Sequence, residues 1–186
     1  MKTIYIKIGL IGLIVLVCGS GTYLSRETPK TYRKPIAISP ETLYRVHSVM
    51  DGDTFEVVIN KNVEKVRMIG IDTPETIDPR KPPQCFGLEA SSTTKKLLVG
   101  HFVYLETDPT QYFYDKFGRI LAYVKLDDGL FVNTHLLEKG FAREYTYGKA
   151  YTRSREFKKI QKEARIKKNG LWAACPEDAK SLTKKP

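Results

Sequence analysis

From Thr42 to Met50 the chain alternates apolar and polar positions, with Leu43, Val46 and Val49 set against Arg45 and Ser48. Alternation of period two predicts a half-buried strand, and Asp51-Gly52-Asp53 closes it with a strong turn signal. Thr54 to Asn60 is rich in β-formers (Phe55, Val57, Val58, Ile59), Lys61-Asn62 supplies the next turn, and Glu64 to Ile71 is a third strand carrying Val66, Met68, Ile69 and Ile71. Residues 42–71 therefore predict a three-strand meander. Asp72 to Phe86 then holds Pro74, Pro79, Pro82 and Pro83. Proline this dense excludes helix and interior strand, and an irregular stretch of this length in a compact domain usually carries function.

Beyond it the pattern changes period. Leu88 to Val99 predicts a helix, anchored by Leu88, Leu97 and Leu98 and ended by Gly100. His101–Thr107 and Arg119–Leu126 predict two strands, the second closed by Asp127-Asp128-Gly129. Phe131–Lys139 is a short helix stopped by Gly140. Tyr151–Lys168 is a longer one, with Phe157, Ile160 and Ala164 on one face, charges opposite and Asn169-Gly170 as its stop. Leu171 and Trp172 are expected to pack back on the core. Three strands, helix, two strands, helices is the order of an α+β protein that is mainly a β barrel: a five-stranded Greek-key barrel of the OB type with about three helices. Such a barrel is a common nucleic-acid scaffold, but a fold does not fix a function.

Organisation at the ends adds a location. Lys2 and Lys7 precede the uncharged run from Ile8 to Cys18, and the small residues Gly19, Ser20 and Gly21 follow. These are the parts of a signal peptide. The uncharged stretch reaches Ser25, just long enough to leave an uncleaved membrane anchor open. Residues 1–25 are thus read as signal peptide or anchor, 26–40 as a linker with three prolines and four basic residues, 41–174 as the barrel domain and 175–186 as a tail. The expected location is outside the cytoplasm, secreted or held at the outer face of the membrane. Cys85 and Cys175 form an even pair in a chain bound for an oxidising place, which fits a disulfide; two unpaired thiols are the alternative.

The composition, 41% hydrophobic and 28% charged, excludes a disordered chain and a multi-span membrane protein. The net charge is +10; without Lys2 and Lys7 the chain keeps 29 basic against 21 acidic residues, still +8. Such a surface attracts polyanions, among them nucleic acid and anionic lipid.

Three blocks carry candidate chemistry: Asp51-Gly-Asp-Thr54, Arg67-Met-Ile-Gly-Ile-Asp-Thr-Pro-Glu75 and Asp115-Lys-Phe-Gly-Arg119. On a strand, Arg67, Ile69 and Ile71 would share a face, which sets the arginine at the barrel's rim or cleft. Asp72 and Glu75 follow directly, with Pro74 fixing the turn, and their carboxylates are placed to converge on one hard cation with Asp53 from the neighbouring turn. Two arginines beside an acidic metal cluster suit a phosphodiester: guanidinium forks bind phosphate oxygens and oppose the charge that grows in the transition state. A nearby glutamate orients or deprotonates water. Each block alone is an ordinary turn or helix start; together, in this order, they are not. His47, His101 and His135 have no metal spacing and argue against a histidine-based metal site.

These blocks, with Phe86-Gly-Leu-Glu-Ala90, Ile120-Leu-Ala-Tyr123, Val132-Asn133 and Gly140-Phe-Ala142, resemble the staphylococcal nuclease-like, or thermonuclease, family over about residues 41–172. The resemblance implies hydrolysis of DNA and RNA with Ca²⁺, by water attack that leaves 3′-phosphate ends. By motif, Asp53, Asp72 and the main-chain oxygen of Thr73 correspond to the calcium ligands, Glu75 to the water-activating group, and Arg67 and Arg119 to the phosphate clamps. Lys116, Tyr145 and Tyr147 resemble nucleotide-holding groups, with Phe117 where a tyrosine is common. Nucleic acid is the expected partner, with membrane attachment only through residues 1–25 and no protein partner. The rival is a non-catalytic OB module binding single strands at the cell surface; it needs a basic groove and aromatics, not a carboxylate cluster.

Overall fold

The computed structural model describes residues 34–76 and 82–175. The expected export segment, the linker up to residue 33, residues 77–81 of the proline-rich stretch and the tail from residue 176 lie outside them. Five strands close a barrel: β1 (Leu43–Asp51), β2 (Thr54–Ile59), β3 (Asn62–Met68), β5 (Phe102–Glu106) and β6 (Ile120–Leu126). The ring runs β1-β2-β3-β6-β5 and returns to β1. All its pairings are antiparallel except that of β3 with β6. Helix α1 (Gly87–Leu98) fills the connection between the meander and β5, and α2 (Val132–Glu138) and α3 (Ser154–Ile166) follow β6. This is the α+β barrel that the hydrophobic pattern predicts.

The period-two pattern sorts side chains as a closed barrel requires. Phe55, Val57 and Ile59 of β2, Val66 and Met68 of β3, Val103 and Leu105 of β5, and Ile120, Ala122 and Val124 of β6 are buried together. Leu136, Leu137 and Phe157 bring α2 and α3 onto the same core. Each such side chain contributes roughly 1.5–3 kcal/mol by leaving water. Asn133, fully buried, joins the layers: its Oδ1 accepts from Val124 N–H and its Nδ2 donates to Ile69 O, both at 2.9 Å. The core also extends before Glu41, because Ile36 and Ile38 pack on it and Ser39 N–H donates to Tyr44 Oη at 2.8 Å.

Two expectations are corrected. The strand expected over 64–71 ends at Met68. Gly70 has φ +76°, and a Cβ there would stand 2.5 Å from the Tyr151 ring and 2.8 Å from Phe157. The chain turns over these rings and re-forms as β4 (Ile71–Asp72), paired with β7 (Arg143–Glu144) in a separate ribbon. Arg67 and Ile71 therefore do not share a strand face. The long helix starts at Ser154, not Tyr151. Tyr151 lies under Gly70 with its hydroxyl on Glu144, and Thr152 binds Asp108, so this turn is fixed by side-chain contacts rather than helical ones.

Leu171 and Trp172 sit in a short last helix, α4 (Leu171–Ala174), and pack with Ala164, Cys175 and Phe86 in a second small cluster. Cys85 and Cys175 are joined by a disulfide across 90 residues. Among the described residues no helix is long and apolar enough to cross a membrane.

Candidate active site

The site gathers where the barrel's chain reversals meet. At the β1–β2 turn, Gly52 is required by space, since a Cβ would lie 2.7 Å from the Thr73 hydroxyl. Thr94 of α1 fastens this turn by donating to Gly52 O at 2.7 Å. Asp53 is thereby buried against Thr73, which donates its main-chain N–H (2.9 Å) and hydroxyl (3.2 Å) to Asp53 Oδ2. Thr54 donates to the other oxygen, Oδ1, at 2.8 Å.

Arg67 joins the two sides. One nitrogen, Nη2, lies 3.1 Å from Asp53 Oδ2 and 2.9 Å from Asp72 Oδ1. Its other nitrogen, Nη1, donates to the carbonyls of Met68 (2.9 Å) and Ile71 (2.6 Å). The break at Gly70 creates this geometry, because it swings Asp72 out of the barrel wall and back toward Arg67. Arg119 approaches from the start of β6. Asp115 orients it through Nε at 2.6 Å, and its Nη1 reaches the Thr54 hydroxyl at 3.4 Å.

Glu75 stands exposed beside this group. Its main chain is held on both sides by Gln84: Glu75 N–H donates to Gln84 Oε1 at 3.0 Å, and Gln84 N–H donates to Glu75 O at 2.9 Å. Its carboxylate accepts from Thr76 N–H at 2.9 Å. Gln84 precedes the bridged Cys85, so the disulfide is one residue from the clamp. Gln84 does not stand out in the sequence as a site residue, and Asp51 lies in the first candidate block with no role of its own assigned to it. Asp51 accepts from Gly52 N–H and the Thr76 hydroxyl, both at 2.8 Å.

Negative charge is crowded here. Burial pushes the Asp72 carboxyl above the usual carboxylate range, and the neighbouring charges of Asp53 and Glu75 add to this against Arg67 and Arg143. Burial also raises Asp51, opposed by Thr76 and Gly52 and reinforced by Asp53 and Glu75. Carboxylates that repel one another in a partly dry place favour a cation between them. Asp53 and Asp72 already share one positive nitrogen, and their oxygens suit a hard cation such as Ca²⁺. The donor set is small: among the described residues no group of three or more His, Cys, Asp and Glu is placed to hold a metal ion. Two carboxylates fit a cation whose other ligands are main-chain oxygen and water.

The four residues expected to hold a nucleotide also come together. Lys116 Nζ lies 5.0 Å from the Phe117 ring centre and 6.0 Å from that of Tyr147. Tyr147 stacks with Tyr145, and the Arg119 guanidinium lies 5.2 Å from the Phe117 ring. Phe117 and Tyr147 are 71% and 68% exposed, so their rings form an open platform beside the arginine. Exposed aromatic rings next to cations are the parts on which bases stack.

The family described as staphylococcal nuclease homologue matches residues 65–174. A protein of Staphylococcus hyicus named Thermonuclease is 34% identical over 168 residues, covering 90% of this chain and 98% of its own. A second Thermonuclease, from Staphylococcus intermedius, is 42% identical over 69% of this chain and 75% of its own. The SPbeta prophage-derived endonuclease YokF of Bacillus subtilis strain 168 is 41% identical over 67% of this chain and 42% of its own.

Proposed function

Since the chain belongs to the family of staphylococcal nuclease homologues and is a nuclease that hydrolyses phosphodiester bonds, we propose that it is a calcium-dependent endonuclease acting on DNA and RNA, exported from the cell, and leaving 3′-phosphate ends. The observation that carries this reading is the bridge of Arg67 between Asp53 and Asp72, with Arg119 and Glu75 beside it.

Asp53, Asp72 and the main-chain oxygen of Thr73 would hold the cation, which would supply charge neutralisation for the phosphate. Arg67 shares its guanidinium between these carboxylates and the incoming phosphate. Arg119, steered by Asp115, presents its remaining N–H groups to a second phosphate oxygen and opposes the charge that builds there. Glu75 takes a proton from the attacking water, or orients it. The water oxygen bonds to phosphorus in line with the 5′-oxygen, whose bond breaks; that oxygen leaves with a proton as a 5′-hydroxyl, and the phosphate stays on the 3′ side. Lys116, Phe117, Tyr145 and Tyr147 hold the adjoining nucleotide. The Cys85–Cys175 bridge supports an oxidising destination, in line with the signal-like pattern of residues 1–25.

The test is incubation of the purified chain with denatured DNA and with RNA, in calcium and in chelator. Cleavage in calcium alone is expected, with products that a polymerase extends only after phosphatase treatment. Cleavage unaffected by chelator, or products extended without phosphatase, would overturn the calcium and end-group assignments respectively.

A further inference from the structure

Helix α3 sorts its charges by face. At about 100° per residue, Arg155, Lys158, Lys159, Lys162 and Arg165 fall within one arc of about 120°, together with Ile166, and no acidic residue falls among them. Glu156 and Glu163 lie beyond one edge of that arc. On that side Glu156 lines an acidic hollow with Glu41, Glu106, Asp127, Asp128 and Glu138. Gln161 lies beyond the other edge, toward the catalytic cluster. Its Oε1 accepts from Glu144 N–H at 2.7 Å, Glu144 belongs to β7, and β7 pairs with the strand that carries Asp72. The basic arc thus borders the site's own ribbon.

A second feature lies at the C-terminal end of the same arc. Lys162, Arg165, Ile166, Lys168 and Trp172 line a shallow hollow. The Arg165 guanidinium lies 5.2 Å from the Trp172 ring. Trp172 is 5% exposed, and its indole N–H has no hydrogen-bond partner among the described residues. An anionic oxygen entering this hollow meets the cations of Lys162, Arg165 and Lys168.

We propose that the basic face of α3 and the turn that follows it, from Arg155 to Lys168, is a second contact for the nucleic-acid substrate, binding backbone phosphates that lie outside the nucleotide being cleaved. It rests on the nuclease reading and extends it. Lys158 and Arg165, seven residues apart, span about 10 Å along the helix axis, so the cations form a linear track suited to a polynucleotide backbone. Contacts of this kind position the polymer without reading its sequence. Anionic membrane is the weaker partner. A helix that docks on lipid needs an apolar face to insert, whereas the apolar face of α3, with Phe157 and Ala164, is spent on the protein's interior.

The test uses the full chain and the triple variant Lys158→Gln, Lys162→Gln, Arg165→Gln, with circular dichroism melting as the fold control. Binding of a long single-stranded DNA, read by fluorescence anisotropy without divalent cation so that it stays intact, is expected to weaken about tenfold at low salt. The slope of log affinity against log salt should fall by about two, as three lost phosphate contacts on a single strand predict. Lys158→Arg with Lys162→Arg should keep both values. In cleavage, KM for long DNA rises with kcat unchanged, while a substrate with a single phosphodiester is cut as by the parent chain. Unchanged DNA affinity and slope would overturn the proposal. So would equal loss on long and short substrates, or a loss confined to phosphatidylglycerol vesicles. If the parent chain cuts nothing, the nuclease reading fails while the anisotropy still decides whether α3 binds the polymer.

Discussion

Asp108 and Asp72 are both carboxylates drawn into the fold, and they are held in opposite ways. Asp108 receives donors from every side: the N–H and hydroxyl of Thr110, the hydroxyl of Tyr123, and the N–H and hydroxyl of Thr152. Burial raises its pKa, but these hydrogen bonds outweigh that and hold it at about 2. Asp72 accepts from Arg67 and has Arg143 nearby, but burial first, and then the charges of Asp53 and Glu75, move its pKa up. A carboxylate saturated with neutral donors is a fastening; here it ties the segment after β5 to β6 and to the turn before α3. A carboxylate buried beside others of its kind favours a cation near it. The same residue type serves structure in one place and, on the reading proposed above, chemistry in the other, and the partners decide which.

Substitutions at the two places should therefore separate activity from stability. The largest effect belongs to the site: Glu75→Gln or Arg119→Ala should lower kcat by about 10²–10³ with little change in the urea midpoint. A variant that melts early instead would make these residues structural. Asp108→Asn should reverse the pattern, costing about 2 kcal/mol of stability as the lowered pKa implies, while activity per folded molecule holds. Stability against pH extends the contrast. The Asp108 contribution is complete above about pH 4 and is lost as pH falls through about 2, because its folded pKa lies below the unfolded value. Asp72 has the opposite sign. Its raised pKa favours the folded state in acid, and that contribution fades as pH rises through the raised value. Urea titrations between pH 2 and 6 should show a shallower acid limb for Asp108→Asn and a flatter rise toward pH 4 in the parent chain than in Asp72→Asn. The smallest effect is Tyr123→Phe, which removes one of five donors to Asp108 and should cost about 1 kcal/mol in the same titration.

Much of this was legible in the sequence because it is local or periodic. The barrel strands and three helices follow from the spacing of residues such as Phe55, Val57 and Ile59, or Phe157 and Ala164. Arg67, Asp72 and Glu75 sit in one contiguous block, so their proximity needs no knowledge of the fold. The break at Gly70 was not legible, since its cause is the Tyr151 ring 81 residues later. The β4–β7 ribbon has two residues on each side, too few to carry a period. Gln84 acts by clamping the main chain of Glu75, a role that any short polar side chain in a loop would conceal. Asp108 sits between a strand and a turn with nothing in its neighbours to announce that threonines from two segments and a tyrosine from a third converge on it.

The Cys85–Cys175 bond matters most when the chain is not folded. It closes a loop of about 90 residues that contains most of the described chain after the site loop, and tethering ends that far apart removes about 4–5 kcal/mol of disorder from the unfolded ensemble. The cross-link therefore raises the free energy of the open chain rather than adding a contact to the closed one. An oxidised molecule that opens still keeps its last helix near the segment that clamps Glu75, so its return to the folded state begins from a shortened search.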